Sequence, residues 1–140
     1  MTNQNAGQHG SHTVMLVEDD VFLLDMYGTK FTQEGFTVEL CQSVTEALTA
    51  LRGGLKPSVI LFDIVMPGED GFALLRALKT ENLAKGSCVI ALTNQSSDDD
   101  RKLALDFGVD QYVVKASMIP SEVVAMTKEC IAKMNGNAKP

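Results

Sequence analysis

The sequence is poor in cysteine and has no tryptophan, and its three cysteines are far apart from one another. A zinc site or a disulfide framework normally uses paired or clustered cysteines. Cys41, Cys88 and Cys130 instead stand singly among apolar residues. We therefore expect three reduced thiols in the core.

Basic residues are also scarce, because twelve Lys and Arg stand against eighteen Asp and Glu, for a formal net charge of −6. A protein that binds along a nucleic acid needs clustered Lys and Arg to neutralise the phosphates. The composition argues against such a surface, and we expect no direct binding to nucleic acid.

Long apolar runs are absent as well. No segment approaches the roughly 18 residues that a membrane span requires, and residues 1–12 lack the apolar core of a secretory signal. We expect a flexible N-terminal tail at residues 1–12, no membrane insertion and a cytoplasmic location.

The remaining composition is that of an ordinary globular protein, with 45% hydrophobic and 21% charged residues. A chain of 140 residues suits one domain. We place this domain at residues 13–134, with a C-terminal tail at 135–140. Because so little chain follows, we expect a stand-alone domain without an attached effector.

Apolar segments of strand length recur five times and alternate with segments of helical period. Several are continuous rather than alternating, which is typical of parallel strands covered on both faces. The predicted strands are Val14–Val17, Phe36–Leu40, Val59–Phe62, Cys88–Leu92 and Tyr112–Val114. Right-handed crossovers then give an α/β fold, (βα)5, in which a doubly wound five-stranded parallel sheet has helices on both faces.

The helical segments carry apolar stripes and plausible ends. The expected inward positions are Leu24, Tyr27, Gly28 and Phe31 in the first helix, Ala47, Leu48 and Leu51 in the second, Phe72, Leu75 and Leu78 in the third, Leu103, Ala104 and Phe107 in the fourth, and Val124, Thr127 and Ile131 in the fifth. Ser43 with Glu46 has the spacing of a capping box. Ser121 is the expected cap of a last helix running from about Ser121 to Lys133.

Polar residues follow the predicted strands at the edge where functional groups gather in such sheets. They are Glu18, Asp19 and Asp20 after the first strand, Asp63 after the third, Thr93 after the fourth and Lys115 after the fifth. Crowded carboxylates repel one another unless a cation or a proton intervenes. Mg²⁺ would resolve the conflict, with Asp19, Asp63 and the Val65 carbonyl as protein ligands and Glu18 acting directly or through water.

Asp63 alone could be a turn cap, a metal ligand or a nucleophile. A carboxylate beside Mg²⁺ can attack phosphorus to form an acyl phosphate. Lys115 and the Thr93 hydroxyl could then engage the phosphoryl oxygens. We expect Asp20 to cap the first helix instead of binding metal, and Asp98 to Asp100 to form a solvated helix start.

Four motifs in order resemble those of the response-regulator receiver domains, the CheY-like family. They are "LVEDD" at 16–20, "LFDIVMPGEDG" at 61–71, "ALTN" at 91–94 and "YVVK" at 112–115. The resemblance implies a flavodoxin-like sheet with strand order 2-1-3-4-5. It also implies that Asp63 accepts a phosphoryl group from the phosphohistidine of a sensor histidine kinase or a histidine phosphotransfer protein.

The resemblance further implies roles for four other positions: Glu18 and Asp19 as the acidic pair, Thr93 and Tyr112 as the switch hydroxyl and aromatic, and Lys115 as the phosphate-sensing cation. A downstream protein would then bind the face formed by the fourth helix, the fifth strand and the fifth helix. Such a domain is a signalling switch that catalyses its own phosphorylation and dephosphorylation and has no metabolic substrate.

Two departures from the family pattern concern the loops beside the site. Ala116 follows Lys115 where the family usually has a cis proline, and a cis bond before a residue other than proline costs about 3–4 kcal/mol. We therefore expect a trans bond there. Asn94 replaces a commonly small residue, and Gln95 is placed where it could contact the phosphoryl group.

Three alternatives remain beside the receiver hypothesis. One is a docking module that keeps the fold but acts without phosphorylation. A second is a flavodoxin-like electron carrier, although Glu18, Asp19 and Asp20 would repel the phosphate that such a protein binds. A third is an aspartyl phosphatase of the haloacid-dehalogenase type, which would want an acid where Val65 stands.

Overall fold

Five parallel strands form one sheet at the centre of the computed structural model, which describes residues 12–94 and 97–138. The order across the sheet is β2-β1-β3-β4-β5. The strands are β1 (Thr13–Val17), β2 (Thr37–Cys41), β3 (Val59–Asp63), β4 (Cys88–Thr93) and β5 (Gln111–Val114). The predicted fold class is confirmed, and each predicted strand lies within one residue of an observed one at either end.

Among the described residues, four α-helices connect the strands, a fifth follows the last strand, and together they cover both faces of the sheet. They are α1 (Val21–Gln33), α2 (Val44–Arg52), α3 (Gly71–Thr80), α4 (Asp98–Asp106) and α5 (Pro120–Ala138), with a short 3-10 turn at Lys115–Ser117. Residues of α1 and α5 share one apolar cluster with one face of the sheet. Residues of α2, α3 and α4 share a second cluster with the other face.

The central strands are buried because both of their faces are covered. Every residue of β3 is buried, and so are the last four residues of β1. The edge strand β2 is more exposed, and the Leu40 side chain on it is 40% exposed. This contrast explains why continuous apolar runs identified the inner strands.

Most of the α-helices start at a residue whose side chain accepts hydrogen bonds from the first-turn amides. Asp20 accepts hydrogen bonds from the Phe22 and Leu23 amides at the start of α1, which confirms its predicted role as a cap. Ser43 accepts from the Glu46 amide, and Ser97 accepts from the Asp100 amide at the acidic start of α4.

The predicted cap at Ser121 is wrong, because α5 already begins at Pro120. Proline suits the first helical position, where its missing N–H loses nothing. The Glu122 carboxylate accepts a hydrogen bond from the Ile119 amide instead. The helix also extends past Lys133 to Ala138, since a single glycine lowers helix stability by only about 1 kcal/mol.

The expectation of three reduced thiols is wrong for two of the cysteines. Cys88 and Cys130 form a disulfide, with their Cα atoms 6.3 Å apart and a separation of 42 positions in sequence. Sequence spacing did not reveal this pair, because the packing of α5 against the sheet brings the two residues together. Cys41 is a free, buried thiol, and burial raises its pKa to about 12.

His12, which was expected in the tail, contacts the folded domain. Its Nδ1 lies 2.9 Å from the Ser58 hydroxyl, and its carbonyl accepts a hydrogen bond from the Thr37 amide. Residues 1–11, 95–96 and 139–140, with the predicted phosphoryl contact Gln95 among them, lie outside the described part of the chain. Within the described part, no helix is long and apolar enough to cross a membrane.

Candidate functional site

The register of the sheet brings the predicted site residues to one edge. Val17 of β1 is level with Phe62 of β3, so Glu18 and Asp63 follow at the same height. Asp63 is in turn level with Leu92 of β4. Thr93 is level with Val114 of β5, so Lys115 comes next to it. The carboxyl ends of the four strands therefore meet at one site.

Lys115 connects the two buried carboxylates of this site. Its Nζ donates to Glu18 Oε1 and, at 3.0 Å, to Asp63 Oδ2, and all three residues are buried. Burial raises the pKa of Glu18 despite this contact. Burial also opposes the charge of Lys115, but the hydrogen bonds to Glu18 and Asp63 prevail and raise its pKa. The ammonium thus stays charged inside the site.

Three carboxylates offer oxygen atoms that converge. Glu18, Asp19 and Asp63 each present one oxygen within 4.8 Å of the other two, and Asp19 is exposed while its partners are buried. Asp20 takes no part because its carboxylate caps α1. A set of oxygen ligands that is buried on one side and open on the other fits Mg²⁺, which keeps several of its waters.

The loop after Asp63 is fixed against the site by backbone contacts. The Val65 amide donates to Asp63 Oδ1 at 3.0 Å, and the Gly71 amide donates to the Ile64 carbonyl at 2.9 Å. A Cβ on Gly71 would lie 2.8 Å from Ile64 Cα and 2.9 Å from the Asp63 carbonyl oxygen. Only glycine allows α3 to start this close to the phosphoacceptor candidate. The Val65 side chain itself is 62% exposed.

The two predicted switch residues lie on neighbouring strands beside Asp63. Thr93 is buried at the end of β4. Tyr112 on β5 is level with Ala91, its hydroxyl oxygen is buried, and the Arg101 guanidinium lies 5.8 Å from its ring centroid. The aromatic side chain therefore lies between α4 and the sheet.

The loop after Lys115 departs from the family pattern as expected. The Lys115–Ala116 bond is trans, since the described residues contain no cis peptide bond. The chain forms a 3-10 turn in which the Met118 amide donates to the Lys115 carbonyl at 3.2 Å. The turn keeps Lys115 aimed at the carboxylates.

Tyr27 and Gly71 contribute to the site although sequence reasoning gave them no role there. The Tyr27 side chain lines a small cavity beneath Glu18 and Asp63, and burial raises its pKa. The helical period placed Tyr27 on the inner face of α1. Nothing in the pattern indicated that this face ends below the carboxylates.

The comparison with known families agrees with this geometry. A sequence profile described as "Response regulator receiver domain" matches residues 14–128. The chain belongs to the response-regulator receiver family. Such domains are the receivers of two-component signalling systems, and the receiver described here has the CheY-like fold of that family.

Relatives and solved structures of the family resemble this receiver over most of its length. It is 34% identical over 128 residues to the transcriptional regulatory protein CreB of Escherichia coli, covering 91% of this chain and 54% of that protein. It is 32% identical over 115 residues to the DNA-binding response regulator MtrA of Mycobacterium tuberculosis, covering 82% of this chain and 48% of that protein. The chain thus spans about half the length of these curated relatives. The CheY-like receiver domain of Methanospirillum hungatei superposes with a TM-score of 0.81 at 26% identity, covering 90% and 98% of the two chains.

Proposed function

We propose that this receiver accepts a phosphoryl group on Asp63 in a Mg²⁺-dependent reaction. The observation that carries the proposal is the contact of Lys115 with both Glu18 and Asp63 at the carboxyl edge of the sheet. A buried cation between two carboxylates, next to an exposed third one, provides opposite charge for a phosphoryl group and a site for its metal.

The donor would be the phosphohistidine of a sensor histidine kinase or a histidine phosphotransfer protein. An Asp63 carboxylate oxygen attacks phosphorus, the bond from phosphorus to the donor imidazole breaks, and the acyl phosphate remains on Asp63. Bound Mg²⁺ would neutralise charge on the carboxylates and the phosphoryl oxygens. The residues that would hold it are Glu18, Asp19, Asp63 and the Val65 carbonyl.

The phosphorylated site would act on a partner-binding face through Thr93 and Tyr112. The Thr93 hydroxyl would donate a hydrogen bond to the phosphoryl group, and Lys115 would pair with its charge. Movement of β4 and of the Tyr112 ring would then shift a pre-existing equilibrium of the α4–β5–α5 face, where a downstream protein binds.

The cellular setting of this receiver is part of the same proposal. A cytoplasmic location suits a domain that takes its phosphoryl group from a kinase. The names of CreB and MtrA assign regulatory and DNA-binding roles to those proteins. For this chain we propose that the output passes to a protein on the α4–β5–α5 face, without direct contact to nucleic acid.

Phosphoryl uptake tests the proposal. The protein is incubated with a small phosphodonor such as acetyl phosphate, with and without Mg²⁺, and its intact mass is recorded. We expect the wild type to gain one phosphoryl group only with Mg²⁺, and the Asp63→Asn variant to gain none. Unchanged labelling of Asp63→Asn would contradict the assignment. Absence of labelling in the folded wild type would favour a docking module that acts without phosphorylation.

A further inference from the structure

The Cys88–Cys130 disulfide joins two elements that the proposed phosphorylation would use at their other ends. Cys88 is the first residue of β4, whose last residue is Thr93. Cys130 lies ten positions after Pro120, where α5 begins near the site. A strand rises about 3.3 Å per residue and a helix about 1.5 Å per residue, so both paths put the disulfide about 15 Å from the site. This places it at the opposite edge of the sheet. It therefore acts on the position of α5 and does not take part in the chemistry.

Apolar packing and one ion pair hold the second half of α5 besides the disulfide. Ile131 belongs to the apolar cluster on this face of the sheet, and Met134 packs against it. Val123 and Val124 anchor its first half in the apolar cluster that it shares with α1. Beyond them, Ile131 is buried, and Lys128 forms an ion pair with Glu34 of α1 at 2.9 Å. The ion pair is partly exposed, and such pairs contribute little. The disulfide is the covalent restraint on this half of the helix and adds to its apolar packing.

We propose that Cys88 and Cys130 form a redox-reversible cross-link that sets how tightly α5 is held against the sheet. In the oxidised form the helix is fastened to β4, and in the reduced form the same two side chains pack as neutral apolar thiols. Because α5 forms part of the α4–β5–α5 face, the cross-link limits the movement that is open to that face. This second input is separate from the phosphoryl group on Asp63.

The side-chain environment agrees with oxidation that requires helix opening. Cys88 is fully buried, and Cys130 is 6% exposed. The Asp110 carboxylate, which accepts a hydrogen bond from the Val89 amide at 2.8 Å, has an oxygen within 4.8 Å of both sulfur atoms. A nearby negative charge disfavours thiolates. The reduced pair therefore reacts when the end of α5 opens locally.

A hydroperoxide can supply the oxidising equivalents. The Cys130 sulfur attacks one peroxide oxygen of hydrogen peroxide, so that an S–O bond forms, the O–O bond breaks and water leaves. The Cys88 sulfur then attacks the sulfenic sulfur, so that the S–S bond forms, the S–O bond breaks and a second water leaves. Reduction by a dithiol reverses the net change, returning two electrons and two protons to the pair.

Counting thiols tests whether the cross-link forms. The purified protein, either treated with hydrogen peroxide or reduced with dithiothreitol, is unfolded in guanidinium with an alkylating reagent, and its mass is measured. Of its three cysteines, we expect one alkylated residue, Cys41, after oxidation and three after reduction. Three alkylated thiols after oxidation, or a bond to Cys41, would overturn the proposal. So would three thiols together with one equivalent of zinc in protein isolated without reductant, since Cys88, Asp110 and Cys130 would then be metal ligands.

Thermal unfolding and hydrogen exchange test whether the cross-link restrains α5. For a bond that closes a loop of this length, reduction should lower Tm by about 10 °C. It should also speed exchange in the second half of α5, with much smaller changes in β1. Cys130→Ala should unfold at the same temperature with or without dithiothreitol. The matched variant Cys41→Ala should still show the decrease in Tm on reduction. Equal exchange in α5 for the oxidised and the reduced wild type would contradict the proposal even if a variant failed to fold.

Discussion

Lys115 is the residue on which the electrostatics of the site depend. Its ammonium donates to Glu18 and Asp63, and the two carboxylates with Asp19 lie close enough to share one cation. A bound Mg²⁺ would meet the same oxygens, so the lysine competes with the metal in the unphosphorylated protein. After the proposed phosphorylation, the lysine charge would instead stabilise the phosphoryl oxygens.

Replacing Lys115 should therefore separate metal binding from phosphorylation. In Lys115→Ala, loss of a positive charge beside the carboxylates should strengthen Mg²⁺ binding by about tenfold, which corresponds to roughly 1.4 kcal/mol. The rate of phosphoryl uptake should fall by about tenfold or more. Isothermal titration with Mg²⁺ and mass spectrometry with acetyl phosphate measure the two effects. Lys133→Ala, which removes an exposed lysine of α5, is the control and should change neither. Weaker Mg²⁺ binding in Lys115→Ala would contradict this role.

The sequence allowed the site to be predicted residue by residue because strand ends could be located. Once Asp63 and Thr93 were assigned to neighbouring parallel strands, the register brought them together. The bridging contact of Lys115 with Glu18 could not be predicted, since it depends on side-chain conformations. The Cys88–Cys130 pair was missed for a related reason, because its partners meet only through the packing of α5 on the sheet.

The elements carry the site through close backbone packing, most clearly where α3 starts after the loop of Asp63. Gly71 leaves no room for a Cβ against the backbone of Ile64 and Asp63. A Cβ added at Gly28 in α1 would meet an equally short distance, 2.9 Å to Leu40 Cδ2. Its neighbour, however, is the end of a flexible and partly exposed side chain.

The two glycines therefore form a matched pair for mutation. Gly71→Ala should lower the free energy of unfolding by about 1–3 kcal/mol, because backbone must move to admit the methyl group. Gly28→Ala should be neutral or stabilising by about 0.5–1 kcal/mol, since alanine favours a helix interior. Urea unfolding measures both changes. Equal effects of the two variants would show that backbone contact at Gly71 is not what fixes the loop.

Helical faces were predictable to different degrees. In α1 the four inward positions predicted from the period are the four buried ones. In α4 only Ala104 is buried, and Leu103 is 43% exposed although we expected it to face inward. The helix is short and rests on the sheet by a narrow contact, so a stripe of apolar residues did not indicate which of them become buried. Leu103 and Leu105 are exposed on α4, which is one element of the proposed partner-binding face.

At the scale of the molecule, the proposed metal binding would be linked to folding. The convergence of Glu18, Asp19 and Asp63 requires the folded sheet, so Mg²⁺ would bind the native state and not the unfolded chain. At a concentration about a hundred times its Kd, such a ligand raises the free energy of unfolding by about 2.7 kcal/mol. For a domain of this size, Tm should then rise by about 5–10 °C.

Asp19 and Asp20 allow a sharp test of that linkage. Asp19→Asn should abolish the rise of Tm with Mg²⁺, because it removes one ligand. Asp20→Asn makes the same change of charge one residue later, and asparagine can still cap α1. The rise of Tm with Mg²⁺ in this variant should therefore match that of the wild type. Differential scanning calorimetry with and without EDTA measures the effect. Loss of the rise in both variants would indicate a response to net charge and not a site.

The order of the strands and the division of the core into two apolar clusters are properties of the whole molecule. Five apolar segments alternating with helical ones allow few topologies, and short right-handed crossovers select among them. The extent of α5 to Ala138 could not be predicted, since glycine and asparagine near its end only weaken helix formation. Packing of that helix against β4 and α1 is a property of the assembled fold.

Direct location of the phosphoryl group tests the proposed role of Asp63. Protein treated with acetyl phosphate and Mg²⁺ can be reduced with borohydride, which converts an aspartyl phosphate to homoserine, and the modified residue can be located by peptide mass spectrometry. We expect homoserine at position 63, dependent on both the phosphodonor and Mg²⁺. Modification at Asp19, Glu18 or any other carboxylate, with position 63 unchanged, would contradict it.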